Sequence, residues 1–437
     1  MSIADNKNVK LERKLGPLML WGLGVGYVIS GMYFGWNLGL EKGGTLGLGV
    51  ATVFIIIMYV AFTFSYTELA CAIPKAGGAF DYALKAFGKK TAFFAGMAQN
   101  IEFIFAPPAI AFAIGAYLSL FIPGVPIVIF AIVAYLIFTG LNIYGVKAAA
   151  SFELVITVIA VFELLLFAGS VWGDFEPSNL AKTPLPNGWS GAFAAIPFAI
   201  WFFLAIEGVA NVAEETIKPQ KNILIGFGSA MLTLVVLCIL TFTTSIGVNG
   251  WEEIVFDVDG NLSDSPLPLA MEASLGKDHF LFKTVGVIGL FGLVASFHGI
   301  ILASGRATYE FGKEGFAPAF LGNINARFKT PTNALLINTV IGIIALFTQK
   351  TGEIITIACF GALTLYIISM LAVLKLRKAE PTMDRPFKVP LYPITPIVAL
   401  IIASIALIAL VVYNPILALI YAGILLLSFA WFIFNNK

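Results

Sequence analysis

Charge is what this sequence has least of. Asp, Glu, Lys and Arg together supply 12% of its 437 residues, about half of the ~25% usual in a soluble domain, which excludes a water-soluble globular fold. Histidine is rarer still, at two residues, and the three cysteines, Cys71, Cys238 and Cys359, lie far apart in apolar stretches. That excludes a disulfide framework and a zinc site. With no paired cysteines and no acid cluster, no nucleophile, metal centre or organic cofactor site is readable, so an enzyme is not expected. A net charge of +1 gives nucleic acid nothing to attract. The opening stretch MSIADNKNVKLERK is too long and polar for a signal-peptide n-region, and no small-residue cleavage site follows the first apolar run. The first hydrophobic segment is therefore expected to be retained.

What is present is hydrophobic length. Apolar residues make up 59% of the chain and its mean hydropathy is +0.93. With about 20 residues needed to cross ~30 Å of hydrocarbon, twelve membrane-spanning segments are expected near 15–37, 44–70, 92–120, 125–144, 152–172, 190–211, 223–247, 282–305, 332–349, 353–374, 391–412 and 414–434. This predicts an all-α integral membrane protein whose first partner is the lipid bilayer. With the N-terminus inside, only Lys42, Lys182, Lys277, Lys283 and Lys350 of the 26 basic residues fall on the outer side. Lys and Arg stay cytoplasmic, so a multi-pass protein of the cell membrane with both termini in the cytoplasm is expected, its acidic loop 251–264 outside.

The carboxylates sort differently. Glu68, Glu102, Glu153, Glu163 and Glu207 all fall within expected spans, and no Lys or Arg lies deep in one. Ionisable residues in a bilayer usually face a bundle interior, a partner or a watery path. Acids without bases suit a cationic solute or a coupling cation, although each acid can also be satisfied by neighbours alone.

Glycine collects where a membrane helix least wants it. GLGVGYVISGMYFGW places glycines at 22, 24, 26, 31 and 35, each about 1 kcal/mol worse than alanine in a helix interior. Irregular backbone at membrane depth survives only against protein or a cavity, and carriers use broken helices to aim half-helix ends at ligands. A break is expected around YVISGMY, with the Tyr27 carbonyl closing the first half and the amides of Ser30, Gly31 and Met32 opening the second. The competing reading is close packing, since Gly22/Gly26 and Gly31/Gly35 have small-xxx-small spacing. A matching break is expected five segments later in FAAIPFAIWFFLAIEGVANVAEETIKPQKN (193–222), where Pro197 removes a donor and Ala205 and Gly208 flank Glu207.

Four longer stretches carry a family resemblance. ELACAIPKAGGAFDYALKAFG (68–88), NIYGVKAAA (142–150), AEETIKPQKNI (213–223) and SGRATYEFGKEGFAPAFLGNINARFKTPTNAL (304–335) resemble, in order, the signature loops of the amino acid–polyamine–organocation superfamily of permeases. GLGVGYVISGMYFGWNLGL (22–40), IEFIFAPPAIAFAIGAY (101–117) and AIPFAIWFFLAIEGVANVAEET (195–216) are most similar to its ethanolamine permease family. Members of that family commonly carry an acid after the SG pair, where this chain has Met32.

The resemblance implies a LeuT-type fold of twelve transmembrane helices with discontinuous helices 1 and 6. Residues 1–14 would be a cytoplasmic N-terminus, 15–172 and 190–374 two inverted five-helix repeats, and 391–434 two peripheral helices. It implies a secondary active transporter of a small amine-bearing solute, ethanolamine first, with a small or cationic amino acid as the alternative and a non-transporting amino acid sensor as the reading of another class. Carried over by position, the substrate would meet Tyr27, Ser30, Gly31, Met32, Trp201, Leu204 and Glu207. Coupling or gating falls to Glu102, Glu207, His298, Ser296 and Trp201. The coupling ion is expected to be H+ or Na+, and the lysine that some proton-coupled relatives place on segment 5 is here Ala160.

Overall fold

The computed structural model describes residues 13–144, 149–257 and 259–435. Most of the expected N-terminal stretch 1–14, and residues 145–148 within the NIYGVKAAA turn, lie outside the described residues. Backbone amides in hydrocarbon must be satisfied within their own segment, and among the described residues the regular structure is helical. Two isolated bridges, Leu15 with Thr216 and Phe256 with Leu262, are the extended pairings there.

Every expected apolar segment is helical. The first divides into α1 (Pro17–Val28) and α2 (Ser30–Tyr33), followed by α3 (Leu38–Ala72), α4 (Ala79–Phe87), α5 (Lys89–Ser119), α6 (Ile127–Tyr144) and α7 (Ala149–Val171). The sixth divides into α8 (Gly188–Ala194), α9 (Ile196–Trp201) and a 3-10 stretch, Ile206–Glu215. Then come α10 (Pro219–Asn249), α11 (Pro266–Leu275), α12 (Phe280–Lys313), α13 (Thr332–Leu346), α14 (Thr351–Ala379), α15 (Ile394–Tyr413) and α16 (Pro415–Asn435). Among the described residues ten helices are long and apolar enough to cross a membrane; Pro17–Val28 and Thr332–Leu346 are apolar but shorter. The second segment begins at Leu38 rather than near 44, with a kink at Gly44, whose φ of +63° suits a residue without Cβ.

The interior is built around α5 and α14. Gly361 makes their approach possible: a methyl there would lie 2.5 Å from the Ala98 carbonyl and 2.8 Å from the Glu102 amide. Around them α1 packs on α7 and α10, and α12 on α5 and α7. The last helix keeps apolar residues outward, with Leu419 and Leu427 three-quarters exposed, a surface suited to acyl chains.

The linker 375–390 is a docked element. Glu68, buried at the end of α3, accepts from Arg377 Nε and Nη2 at 2.7 Å each and from the Val389 amide at 2.7 Å, and Arg385 Nε lies 3.3 Å away. Arg385 in turn donates to the carbonyls of Leu376, Glu380 and Met383. Glu68 is therefore a structural acid paired with two bases, and the expectation of acids without bases does not extend to it.

Candidate functional site

Segment 1 breaks by insertion of a side chain. Helical dihedrals continue through Ile29, so the first half does not close at Tyr27 as expected. Ser296 on α12 instead enters the helical ladder, donating to the Gly26 carbonyl at 2.6 Å while accepting from the Ser30 amide at 2.9 Å. These two groups would otherwise bond to each other as i and i+4. The Met32 amide turns back to the Ile29 carbonyl at 2.9 Å. The backbone leaves helical geometry fully at Phe34 and Gly35, where φ reaches +84°.

The glycines of this segment serve mainly as contact points. A methyl on Gly22 would press on Leu154 at 2.8 Å, one on Gly24 on Val209 at 2.8 Å, and one on Gly31 on the Trp201 carbonyl at 2.5 Å. Close packing explains these three, and Gly35 alone of the five adopts a left-handed conformation. Segments 1 and 6 thus meet backbone to backbone at Gly31.

Segment 6 opens between α9 and the 3-10 stretch, at Phe202–Ala205. Ala205 has φ +74°, an uncommon and costly conformation for a residue with a Cβ. Its amide is held by Glu102 Oε1 at 3.1 Å. Glu207, two residues on, accepts from the Tyr366 hydroxyl at 2.9 Å, and Tyr366 meets Tyr59 at 3.2 Å. Glu102 and Glu207 are both fully buried, and through the Ala205 amide and Glu207's place two residues on, both belong to the same opening. Glu102 Oε2 and Glu207 Oε1 have no hydrogen-bond partner among the described residues. Protonation of these carboxyl groups would ease the burial of the two oxygens, and an ammonium group arriving there would supply them with donors.

Of the residues expected to meet a solute, Trp201, Leu204 and Glu207 are brought together with Glu102 around this opening, all buried. Trp201 bridges the two breaks: its indole N–H donates to the Phe34 carbonyl at 3.1 Å and its ring meets Phe34 edge-on at 5.4 Å. Met32 is buried and its carbonyl accepts from the Trp36 indole at 3.1 Å. Tyr27 is placed elsewhere. Its ring is wedged between Gly208 and Gly299, at the crossing of segments 1 and 8, and lines a small cavity with Glu153, His298 and Arg306. His298 accepts through Nδ1 from the Asn142 amide at 3.1 Å, which puts its ring proton on Nε2.

Tyr59 and Tyr366 were not foreseen as site residues. Each lies in a long apolar helix where an aromatic ring reads as packing, and the only hint was that a buried phenol needs a hydrogen-bond partner.

The same chain matches the amino acid permease family model over residues 15–432. It is 26% identical to a methylthioribose transporter of Bacillus subtilis, covering 91% of this chain and 88% of that protein. It is 22% identical to a branched-chain amino acid permease of the same organism, again over 91% and 88%. It is 26% identical to a vacuolar cationic amino acid transporter of Arabidopsis thaliana, over 85% of this chain and 61% of the relative. Two helices interrupted where they touch, two buried acids beside the second interruption and a family match over residues 15–432 converge: this chain belongs to the amino acid permease family, as a multi-pass membrane transporter of amino acids or similar solutes.

Proposed function

We propose that the protein is a secondary active carrier of a small amine-bearing solute, working by alternating access, with ethanolamine as its first substrate. The observation that carries this reading is the Glu102–Glu207 pair beside the unwound residues 202–205. Among the described residues neither acid is paired with a base, so an ammonium is the natural third member. Trp201 can close over such a solute and add cation–π attraction, and Leu204 supplies apolar contact. The amides of Ser30 and Met32 are engaged by Ser296 and Ile29, which leaves a substrate carboxylate fewer donors and favours an amino alcohol. A small or cationic amino acid is the second reading, supported by the relatives named for amino acids.

The architecture we infer is twelve crossings in two inverted repeats, 15–172 and 190–374, with peripheral helices at 391–434. Support comes from the interruptions in segments 1 and 6, five segments apart. The distribution of Lys and Arg supports cytoplasmic termini.

The test is a melting-temperature screen of the purified protein against ethanolamine, choline, agmatine and the twenty amino acids, repeated on Glu207→Gln. A ligand at 100 times its Kd stabilises the folded state by about 2.7 kcal/mol. Ethanolamine is expected to raise the melting temperature of the parent protein and not of Glu207→Gln. Stabilisation by amino acids alone favours the second reading, and stabilisation that survives Glu207→Gln unchanged overturns the role of the acid pair.

A further inference from the structure

A second buried acid lies outside the site just described. Glu153, in the first turns of α7, is 1% exposed, and both its carboxyl oxygens lack a hydrogen-bond partner. It lies at the crossing of α1 and α12, against Gly26 and Gly299. A methyl on Gly26 would collide with Glu153 Oε1, and one on Gly299 would lie 3.3 Å from it. Beside it is a cavity of about 60 Å³ lined by Tyr27, Glu153, Glu215, His298 and Arg306, roomy enough for more than one water at ~10–15 Å³ each. The far wall of that cavity is the Arg306–Glu215 ion pair, 2.8 Å long with both side chains a quarter to a third exposed. A route therefore runs from the surface, past this pair, to a buried carboxyl group.

We propose that this cavity is the coupling-ion site, and that Glu153 carries a proton there. Tyr27 from α1, His298 and Arg306 from α12 and Glu215 from the 3-10 stretch are the titratable and charged groups around it. Among the described residues no base pairs with Glu153. An ionised carboxylate walled in by packed glycines is costly, so this closed arrangement holds the neutral acid. A bare metal cation would need a shell of oxygen ligands. The Thr157 and Ser296 hydroxyls donate to the Gly22 carbonyl at 3.1 Å and the Gly26 carbonyl at 2.6 Å, whereas a proton needs no ligand beyond the carboxyl group itself. The chemistry is one balanced exchange: a carboxylate oxygen takes a proton from a hydronium ion in the cavity, leaving water, and gives it back to a water molecule as hydronium when the wall formed by Arg306 and Glu215 opens. Because Glu153 contacts the same Gly26 turn that Ser296 bridges, its protonation is tied to how closely α1 packs on α12.

The inference rests on the transport reading for its coupling role, and its test separates the two. Infrared pH-difference spectra of the full-length protein need no substrate. They are expected to show a titrating carboxylic-acid C=O band that disappears in Glu153→Gln and moves in Glu153→Asp, the second variant covering failure of the first to fold. In liposomes, an inward gradient of one pH unit supports about a tenfold accumulation of solute per proton carried. The parent protein is expected to accumulate its solute this way, whereas Glu153→Gln exchanges solute across the membrane without accumulating it. An unchanged band in Glu153→Gln overturns the proposal, as does accumulation driven by sodium and abolished by the same variant. If no amine accumulates in the parent protein, the substrate reading fails and the infrared band still decides this one.

Discussion

Replacing Gly31 by alanine tests the contact on which the site depends. The added methyl would lie 2.5 Å from the Trp201 carbonyl oxygen and 3.1 Å from Phe202 Cα, against about 3.5–4.0 Å for an ordinary carbon contact. Both obstacles are backbone, so no side chain can swing aside, and segments 1 and 6 must separate by about 1 Å. Overpacking of this kind costs about 1–3 kcal/mol, partly offset by the 0.5–1 kcal/mol that alanine gains over glycine in a helix. The control is Gly228→Ala on α10, where a methyl meets nothing within 4 Å and only the ~0.5–1 kcal/mol gain remains. Chemical denaturation in detergent is expected to rank Gly228→Ala above the parent protein and Gly31→Ala below it, the two variants differing by about 2 kcal/mol. Uptake into liposomes is expected to fall about tenfold for each 1.36 kcal/mol by which the occluded arrangement is destabilised. Equal stability of the two variants, with full uptake by Gly31→Ala, would refute the close approach of the two segments.

Two further outcomes follow from regions outside the acid pair. Glu68→Ala strands the buried Arg385 and frees Arg377, so a loss of about 3–5 kcal/mol in unfolding free energy is expected, with proteolysis of the 375–390 linker as a second readout; an unaffected linker would sink the docking. Asp264, in the loop before α11, accepts from the Thr351 hydroxyl at 2.7 Å, and burial pushes its carboxyl up to about 6. A carboxyl raised in the folded state favours folding while protonated, so its contribution is present below pH 4 and lost as pH rises through about 6. Asp264→Asn is expected to flatten that part of the stability profile, read as melting temperature against pH.

The helical segments were legible because hydrocarbon admits so few solutions: a run of apolar residues long enough to cross must close its own hydrogen bonds, and the positions of the helices follow within a few residues. The break in segment 1 was legible only as a region. What interrupts the helix is the Ser296 hydroxyl, 266 residues away from Ser30, and no local pattern announces a partner at that distance. The same distance hid the roles of the acids. Glu68, Glu102, Glu153 and Glu207 look alike in sequence, each a lone acid in an apolar run. They part only when neighbours are assigned, Glu68 to two arginines, Glu102 to the Ala205 amide, Glu207 to a tyrosine and Glu153 to a small cavity beside an ion pair. Charge sparsity sets these four positions apart from the apolar runs around them, and the fold gives each different surroundings. Mutating one acid should therefore not reproduce the effects of mutating another, and that difference is the physical content that the chain's apolar background conceals.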